Sequence, residues 1–318
     1  MAAQARPWTE SQDLNRAINR YRDLLASEEA VDSRTAVLNP KGGGGIVQAC
    51  DHEHDCRSDG QTKSWPCRSR PTRGEEHAVT EIFAHRGSCH PARENTIVAF
   101  VAARDLGADG IELDVHLSAD GDVVVHHDGV LPGLGPIGRL LSAELPAWLP
   151  SLGEALDACW PLQVNVEIKQ DESETASERH RSLAREVVTL LAARKGAPRI
   201  VVTSFSLSAI DAVSASEPGL ATALLVHPAG NPLRALLTAR QHGHGGLHPF
   251  FLSVDADLMS AARASGTAIR AWTVDDPVQI AALGELGVDA VVTNDVPVAR
   301  RALGRTHLSG AAPPLDAG

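Results

Sequence analysis

The chain has 318 residues, enough for one large domain with a sizeable core, and its 43% apolar and 22% charged residues are typical of globular proteins. Its 40 acidic and 29 basic side chains give a net charge of −11, which argues against non-specific binding to nucleic acid. The sequence has no run of about 18 apolar residues, so we expect no stable membrane insertion.

The first 78 residues contain few periodic apolar stretches, and we predict a mostly disordered extension with one weak helix over 10–29. The extension lacks the apolar region of a secretory signal. The chain has five cysteines, an odd number that does not indicate a framework of disulfide bonds. We therefore expect a reducing, cytoplasmic location. The segment CDHEHDC at 50–56, with Cys67, has zinc-ligand residue types without the usual spacing. Regular patterning begins so abruptly at Val79 that a translation start there is an alternative.

From Thr80 onward, short β-branched runs alternate with helical stretches rich in Ala and Leu, which predicts an α/β fold, a (β/α)8 TIM barrel over 79–305. Residues 306–318 are expected to form a disordered tail. The predicted strands are 81–85, 110–115, 163–168, 199–204, 221–226, 250–254, 268–274 and 289–294. The predicted helices are 96–106, 151–159, 176–195, 207–216, 232–241, 255–265 and 276–286, with a short one after Pro297.

One apolar run, VVVHH at 123–127, follows the second strand too closely for a parallel crossover. Asp120-Gly121 is a strong two-residue turn signal, which predicts a β-hairpin extension at the barrel mouth. A two-residue turn would pair residue 119 with 122 and Asp114 with His127. The hairpin would therefore bring His127 beside Asp114.

Barrel enzymes place their active sites at the carboxyl ends of the strands, where several acidic residues occur in this sequence. Glu112 and Asp114 share one face of the second strand, and Glu167 faces inward from the third. Three carboxylates repel one another unless a cation joins them, and oxygen ligands favour Ca²⁺ or Mg²⁺. A polar barrel end held by salt bridges is the alternative interpretation.

Two histidines and two cations accompany these acids. His85 and His127 are candidates for a general acid and a general base, because imidazole exchanges protons near neutral pH. Arg86 offers a forked donor suited to phosphate, and Lys169 is a weaker candidate for the same role. Each of these residues also has a structural alternative, such as a surface arginine paired with a carboxylate.

The ordered motifs from Thr80 to Leu303 resemble those of the glycerophosphodiester phosphodiesterase family. FAHRGSCHPARENTIVAF is similar to its His-Arg-Gly and Glu-Asn-Thr motif, GADGIELDVHLSADGDVVVHHD to its Glu-x-Asp and His-Asp motifs, and VNVEIK to its third acidic motif. VVTSFS, AWTVDDP and GVDAVVTNDVP resemble its later strand ends. The resemblance implies a metal-dependent TIM-barrel enzyme that hydrolyses a small glycerophosphodiester to glycerol 3-phosphate and an alcohol.

The same resemblance implies a role for each matched residue. His85 and His127 would be the acid/base pair, Arg86 and Lys169 would approach the phosphate, and the ion would be Ca²⁺ or Mg²⁺. Its ligands would be Glu112, Asp114 and Glu167. The supporting residues would be Glu94 and Asn95, beside the metal site, and Trp272, either as an apolar wall for the glycerol or as a buried barrel aromatic.

The chain departs from the family after His-Asp, where DGVLPGLGPIGRLL lacks the usual pair of threonines. This departure concerns the substrate-side loop, and the short segment before Val164 leaves no room for the larger cap of some members. A lysophospholipase D that acts on longer lipids is the nearest alternative function. A catalytically inactive barrel used for binding is the alternative from another class.

Overall fold

A computed structural model describes residues 79–88, 92–169, 176–193 and 199–305. The predictions for residues 1–78, including the helix over 10–29 and the zinc-ligand residue types at 50–56, lie outside the described residues. So does the prediction for the tail, 306–318. The domain boundaries proposed from the sequence therefore stay predictions.

Eight parallel strands form a closed barrel, because β1 pairs on one side with β2 and on the other with β11. This confirms the predicted (β/α)8 fold. The strands of the described residues, including three outside the barrel, are β1 (Glu81–His85), β2 (Gly110–Leu117), β3 (Val123–Val125), β4 (Val130–Leu131), β5 (Gly135–Pro136), β6 (Gln163–Ile168), β7 (Ile200–Ser204), β8 (Ala221–Val226), β9 (Gly246–Pro249), β10 (Ala268–Ala271) and β11 (Ala290–Thr293). The strands β3, β4 and β5 lie outside the barrel wall.

Helices surround the strands. They are α1 (Ile97–Asp105), α2 (Leu152–Cys159), α3 (Ala176–Ala192), α4 (Leu207–Ser216), α5 (Pro232–Gln241), α6 (Ala256–Ser265), α7 (Pro277–Leu286) and α8 (Val296–Ala302), with 3-10 turns at Ile137–Arg139, Ser142–Glu144 and Phe251–Ser253. Polar N-caps begin most of them; Asp276, for example, accepts hydrogen bonds from the amides of Val278 and Gln279. Among the described residues, no helix has the length and apolar character needed to cross a membrane.

Strand β6 shows how alternation positions polar groups inside the barrel. Val164, Val166 and Ile168 are buried in the main hydrophobic core with residues of the surrounding helices. The alternate residues therefore point into the barrel, where the Gln163 side chain accepts a hydrogen bond from buried Arg270 at 3.3 Å. The Arg270 guanidinium also lies 4.1 Å above the ring of Phe83.

Gly110 is required where β2 passes this ring. A Cβ at position 110 would lie 2.3 Å from Cε1 of Phe83, and Phe83 is buried beneath Arg270. We predict that Gly110→Ala lowers the free energy of unfolding by about 1–3 kcal/mol, because the core would be overpacked. Urea unfolding measures the loss.

Gly129→Ala is the control for this prediction, since its Cβ would meet no atom closer than 3.4 Å. Adding Phe83→Leu to Gly110→Ala is expected to recover part of the lost stability, because it removes the ring that clashes. Equal stability of Gly110→Ala and the parent protein would contradict the close approach.

The predicted strand at 250–254 is wrong. The sixth barrel strand is β9, which pairs Leu247 with Leu224 and with Ile269, and residues 251–253 form a 3-10 turn instead. The apolar run FFLSV resembles a strand more than GLHP does, but it lies beyond the strand end, at the barrel mouth. His248 is fully buried within β9, so a polar residue occupies a position where the sequence pattern favours an apolar one.

The hairpin after β2 forms, but its predicted register is wrong by one residue. Val115 pairs with Val125 and Leu117 with Val123, so the amide of His126, not of His127, donates to the carbonyl of Asp114, at 3.0 Å. The loop has three residues, and the last of them, Gly121, has φ 95°. A shift of one residue changes which side chains share a face, so His127 reaches the site only because the chain leaves the strand after Val125.

Candidate active site at the barrel mouth

Strand register brings the predicted acidic residues together at the carboxyl ends of three neighbouring strands. His85 is level with Glu112 across β1 and β2, and Asp114 is level with Glu167 across β2 and β6. Carboxylate oxygens of Glu112, Asp114 and Glu167 lie within 4.8 Å of one another, and all three residues are buried. We call these three residues the carboxylate trio.

The carboxylate trio is costly to ionise without a cation. Burial, together with the charges of Asp114 and Glu167, raises the pKa of Glu112 well above its usual value. Burial and Asp114 raise the pKa of Glu167 to about 7. Burial also opposes ionisation of Asp114, but Lys169 and Arg86 outweigh it and lower the pKa. Three buried carboxylates that repel one another are a suitable set of oxygen ligands for a hard divalent cation, which would offset their negative charge.

Two basic side chains flank the trio. The Nζ atom of Lys169 lies 3.2 Å from Asp114 Oδ1 and 3.0 Å from Glu167 Oε1. Arg86 lies 3.4 Å from Asp114 through Nε and 2.9 Å from Glu94 through Nη1. Burial opposes the charge of both bases, yet Asp114 and the other nearby carboxylates raise the pKa of each. Both therefore stay cationic and can attract a phosphodiester monoanion.

His85 has a defined tautomer. Its Nδ1 lies 2.7 Å from Asn294 Oδ1, and Asn294 Nδ2 donates to Asp275 at 2.7 Å, so the amide oxygen accepts the Nδ1 proton. Nε2, 4.0 Å from Glu112 Oε2, then carries the lone pair in the neutral ring. Burial and the neighbouring Arg86 lower the pKa of His85, which favours this neutral form. The geometry suits a proton acceptor.

His127 has a different partner. Its Nδ1 lies 2.7 Å from Asp128 Oδ1, and this hydrogen bond lowers the pKa of Asp128. With Nδ1 held by this carboxylate, Nε2 is the ring nitrogen of His127 that can exchange a proton with a substrate. His127 also lies close enough for its charge to help lower the pKa of Asp114. The two histidines therefore differ in their partners, an amide oxygen for His85 and a carboxylate for His127.

The loop after β1 is held in an unusual conformation. Arg86 and Asn95 have φ values of 57° and 55°, in the left-handed region that non-glycine residues rarely adopt. Asn95 Nδ2 donates to Asp114 Oδ2 at 2.8 Å, and the Asn95 amide donates to the Arg86 carbonyl at 2.9 Å. A Cβ on Gly87 would lie 2.8 Å from Ala99, so only glycine fits there. Strained backbone concentrated at one loop is typical of functional sites.

The structure separates the other supporting residues by their contacts. Glu94 lies outside the carboxylate trio and pairs with Arg86, so it orients a neighbour. The indole of Trp272 donates to the His248 carbonyl at 2.7 Å, and its ring meets Phe205 edge-on, at 5.5 Å between centroids. Trp272 thus belongs to an aromatic group over β7, β9 and β10.

Sequence reasoning missed Asp275 entirely and gave Asn294 no role. Asp275 accepts hydrogen bonds from the backbone and side chain of Asn294 and from Thr293 Oγ1. These contacts join the loop after β10 to the end of β11 and then to His85. The signal was two polar strand-end motifs, DDP and TND, whose closeness depends on barrel closure.

Known proteins similar to this chain belong to one class of enzyme. The model of the glycerophosphoryl diester phosphodiesterase family matches residues 85–298. The chain is 28% identical to a glycerophosphodiester phosphodiesterase of Caldanaerobacter subterraneus subsp. tengcongensis, over 68% of this chain and 94% of that protein. It is 30% identical to one from Bacillus altitudinis, over 68% of this chain and 95% of that protein.

A solved phosphodiesterase structure from Oleispira antarctica, in complex with the product sn-glycerol-3-phosphate, is similar with a TM-score of 0.65. It is 25% identical in sequence and covers 71% of this chain and 97% of its own. The similarity spans the barrel.

Proposed function

The chain belongs to the glycerophosphoryl diester phosphodiesterase family, and from this membership we propose that it hydrolyses small glycerophosphodiesters to glycerol 3-phosphate and an alcohol. The observation that carries the proposal is that a carboxylate trio, two cationic side chains and two histidines meet at one barrel mouth. One histidine has an amide oxygen as its hydrogen-bond partner, and the other has a carboxylate. We assign this activity to the region 79–305.

Glu112, Asp114 and Glu167 would hold one divalent cation, Ca²⁺ or Mg²⁺. When bound, such an ion offsets the charge of the trio and stabilises negative charge on phosphoryl oxygens. Arg86 and Lys169 lie beside Asp114 of the trio and would place two further positive charges near the same phosphoryl oxygens. They would favour the transition state, in which these oxygens carry more negative charge than in the substrate.

We assign the base to His85 and the acid to His127. His85 Nε2 would take the proton of the attacking hydroxyl as the new P–O bond forms, while Asn294 holds Nδ1. His127, protonated and paired with Asp128, would give its proton to the alkoxide that leaves as the other P–O bond breaks. The attacking group is water or the glycerol 2-hydroxyl; the second route gives a cyclic phosphate that water then opens.

Glycerophosphocholine is the substrate for the direct test. Incubation of the purified chain with Mg²⁺ or Ca²⁺ is expected to release choline and glycerol 3-phosphate in equal amounts, measured by coupled assays or ³¹P NMR. An analogue without the glycerol 2-hydroxyl separates the two attacking groups, because only attack by water leaves it a substrate. No hydrolysis with either ion would contradict the proposed function.

One feature favours the lysophospholipase D alternative strongly enough to test it. The segment beyond the hairpin exposes apolar side chains next to the site, and Trp148 among them lies 5.8 Å from the His126 ring. An acyl chain could rest on this segment while the headgroup reaches the trio. Comparing kcat/KM for lysophosphatidylcholine and glycerophosphocholine decides between the two, and we expect the shorter substrate to be preferred.

The pH dependence follows from the base. Because burial and Arg86 lower the pKa of His85 beneath the usual 6.5, His85 stays neutral, and able to accept a proton, down to pH values below 6.5. We expect the acid limb of kcat/KM to lie below pH 6.5 when the metal is saturating. An acid limb clearly above that value would contradict the assignment of His85 as base.

A further inference from the structure

A second cluster of metal-ligating side chains lies at the other end of the barrel. Asp211 extends from α4, and His242 and His244 lie on the loop between α5 and β9. One ligand atom from each of the three lies within 4.8 Å of the others. Among the residues that the structure describes, only this group and the carboxylate trio meet that condition. His244 comes just before β9, so the cluster lies near the amino ends of the strands, away from the mouth.

The loop geometry is built by the end of α5. The amide of His244 donates to the Ala239 carbonyl at 2.9 Å and that of Gly243 to the Arg240 carbonyl at 3.0 Å, which is a Schellman motif. Gly243 has φ 78°, the left-handed conformation that this motif requires. The motif fixes both histidines, whose rings lie nearly parallel, 13° apart, beside the same carboxylate.

The distances suit a tetrahedral metal ion. His244 Nε2 lies 3.1 Å from Asp211 Oδ1, and His242 Nδ1 lies 3.1 Å from the same oxygen. Ligands bonded to zinc at about 2.0–2.1 Å stand roughly 3.3 Å apart along a tetrahedral edge. Only small side-chain movements would therefore admit an ion, and water could supply the fourth ligand because His242 and Asp211 are partly exposed.

The buried histidine has a hydrogen-bond partner on its other ring nitrogen. His244 is fully buried, and its Nδ1 lies 2.8 Å from the hydroxyl of Thr222 on β8. A hydroxyl can donate or accept, so Thr222 can donate to Nδ1 while Nε2–H donates to Asp211, and can accept the Nδ1 proton when Nε2 binds a metal ion. Thr222 would thus orient the His244 ring for metal binding.

We propose that Asp211, His242 and His244 bind one zinc ion, which would tie α4 to the loop before β9. Two imidazoles and one carboxylate are a donor set that selects Zn²⁺ over Ca²⁺ and Mg²⁺, unlike the oxygen-only trio at the mouth. The cluster contains no residue of the catalytic site, so we assign this ion no part in the proposed hydrolysis, and the zinc proposal does not depend on that function.

The first experiment counts zinc. The full chain is dialysed against buffered Zn²⁺, and bound zinc per chain is measured by elemental analysis. His242→Ala is expected to lose one equivalent, and this change should be tolerated because the side chain is exposed. Thr222→Val is expected to weaken zinc binding at this site by about 10–100-fold by removing the orienting hydroxyl. His227→Ala, which alters a histidine outside the cluster, is expected to bind as much zinc as the parent.

A second variant separates other zinc sites. A chain with Cys50→Ser, Cys56→Ser, His52→Ala and His54→Ala removes the cysteines and histidines of the segment CDHEHDC, and it should keep the equivalent that depends on His242. Zinc should also raise the Tm of the parent chain by roughly 2–4 °C more than that of His242→Ala, which keeps the carboxylate trio. If His242→Ala binds as much zinc as the parent, the proposal is wrong.

Discussion

His127→Ala is expected to lower kcat for glycerophosphocholine by about 10²–10⁴-fold, the usual loss when a general acid or base is removed. The choline alkoxide is a poor leaving group, so its departure depends on the proton that His127, paired with Asp128, would supply. Steady-state kinetics under saturating metal measures the effect. We expect little change in KM, because Arg86 and Lys169, not His127, are the residues proposed to bind the phosphate.

The role of His127 as acid can be separated from a general loss of activity. With a p-nitrophenyl ester of glycerol phosphate, whose phenolate leaves without a proton, the loss in His127→Ala should shrink to about tenfold or less. His85→Ala should lose activity on both substrates, since a base is needed for either. An equal loss by His127→Ala on both substrates would contradict the assignment.

His126→Ala is the matched control, because it removes the neighbouring imidazole. His126 contacts Trp148, and its Nδ1 lies 2.9 Å from the carbonyl oxygen and 3.2 Å from the amide nitrogen of Asp128, but it touches none of the trio in the described structure. We expect a loss of only a few fold. A loss equal to that of His127→Ala would mean that activity depends on the conformation of the loop after β3 and not on one proton donor.

The parts of the fold that the sequence predicts best are those governed by local pattern. The bounds of β1, β6 and β8 agree with the prediction, because each is a short β-branched or apolar run bounded by polar or turn residues. β9 was missed because GLHP contains a buried histidine, while the apolar run after it is more strand-like. The hairpin register failed because Asp120-Gly121 fits both a two-residue and a three-residue loop.

In the candidate site, too, some contacts follow from local sequence pattern and others depend on barrel closure. Glu112 and Asp114 are two residues apart on one strand, so their shared face follows from alternation alone. The contact between His85 and Asn294 spans 209 residues and depends on the pairing of β1 with β11 that closes the barrel. The same closure brings Asp275 behind Asn294. The motifs that contain Asp275 and Asn294 are visible in the sequence, but local pattern alone does not show that they meet each other and His85.

Metal removal is expected to abolish activity. In excess EDTA, kcat/KM should fall by about 10³-fold, roughly the 4 kcal/mol that a bound cation contributes to charge stabilisation in the transition state. Added Mg²⁺ or Ca²⁺ should restore the activity. The ion that restores it at the lower concentration is the one that the trio binds more tightly. Full activity in EDTA, after removal of tightly bound ions is verified by elemental analysis, would refute metal dependence.

The carboxylate trio also predicts that neutralising one of its residues changes stability in opposite directions without and with bound metal. The pKa values of Glu112 and Glu167 are raised, so the folded metal-free protein binds their protons more tightly than the unfolded chain does, and these two residues contribute most to stability below about pH 4.5, the usual glutamate pKa. That stability should fall as the pH rises through about 7, the pKa of Glu167. Glu112→Gln removes a buried carboxyl that is costly to ionise and should therefore stabilise the metal-free protein at pH 8.

With saturating metal the same substitution should destabilise, because Glu112 is then a ligand whose charge is matched by the ion. Thermal unfolding of both proteins at pH 8, with EDTA and with excess metal, gives the four values needed. Thr203→Val, which removes the hydroxyl of another buried residue inside the barrel, is the control and should show no reversal. A metal centre requires this reversal, whereas a polar barrel end held by salt bridges would make Glu112→Gln act alike in both buffers.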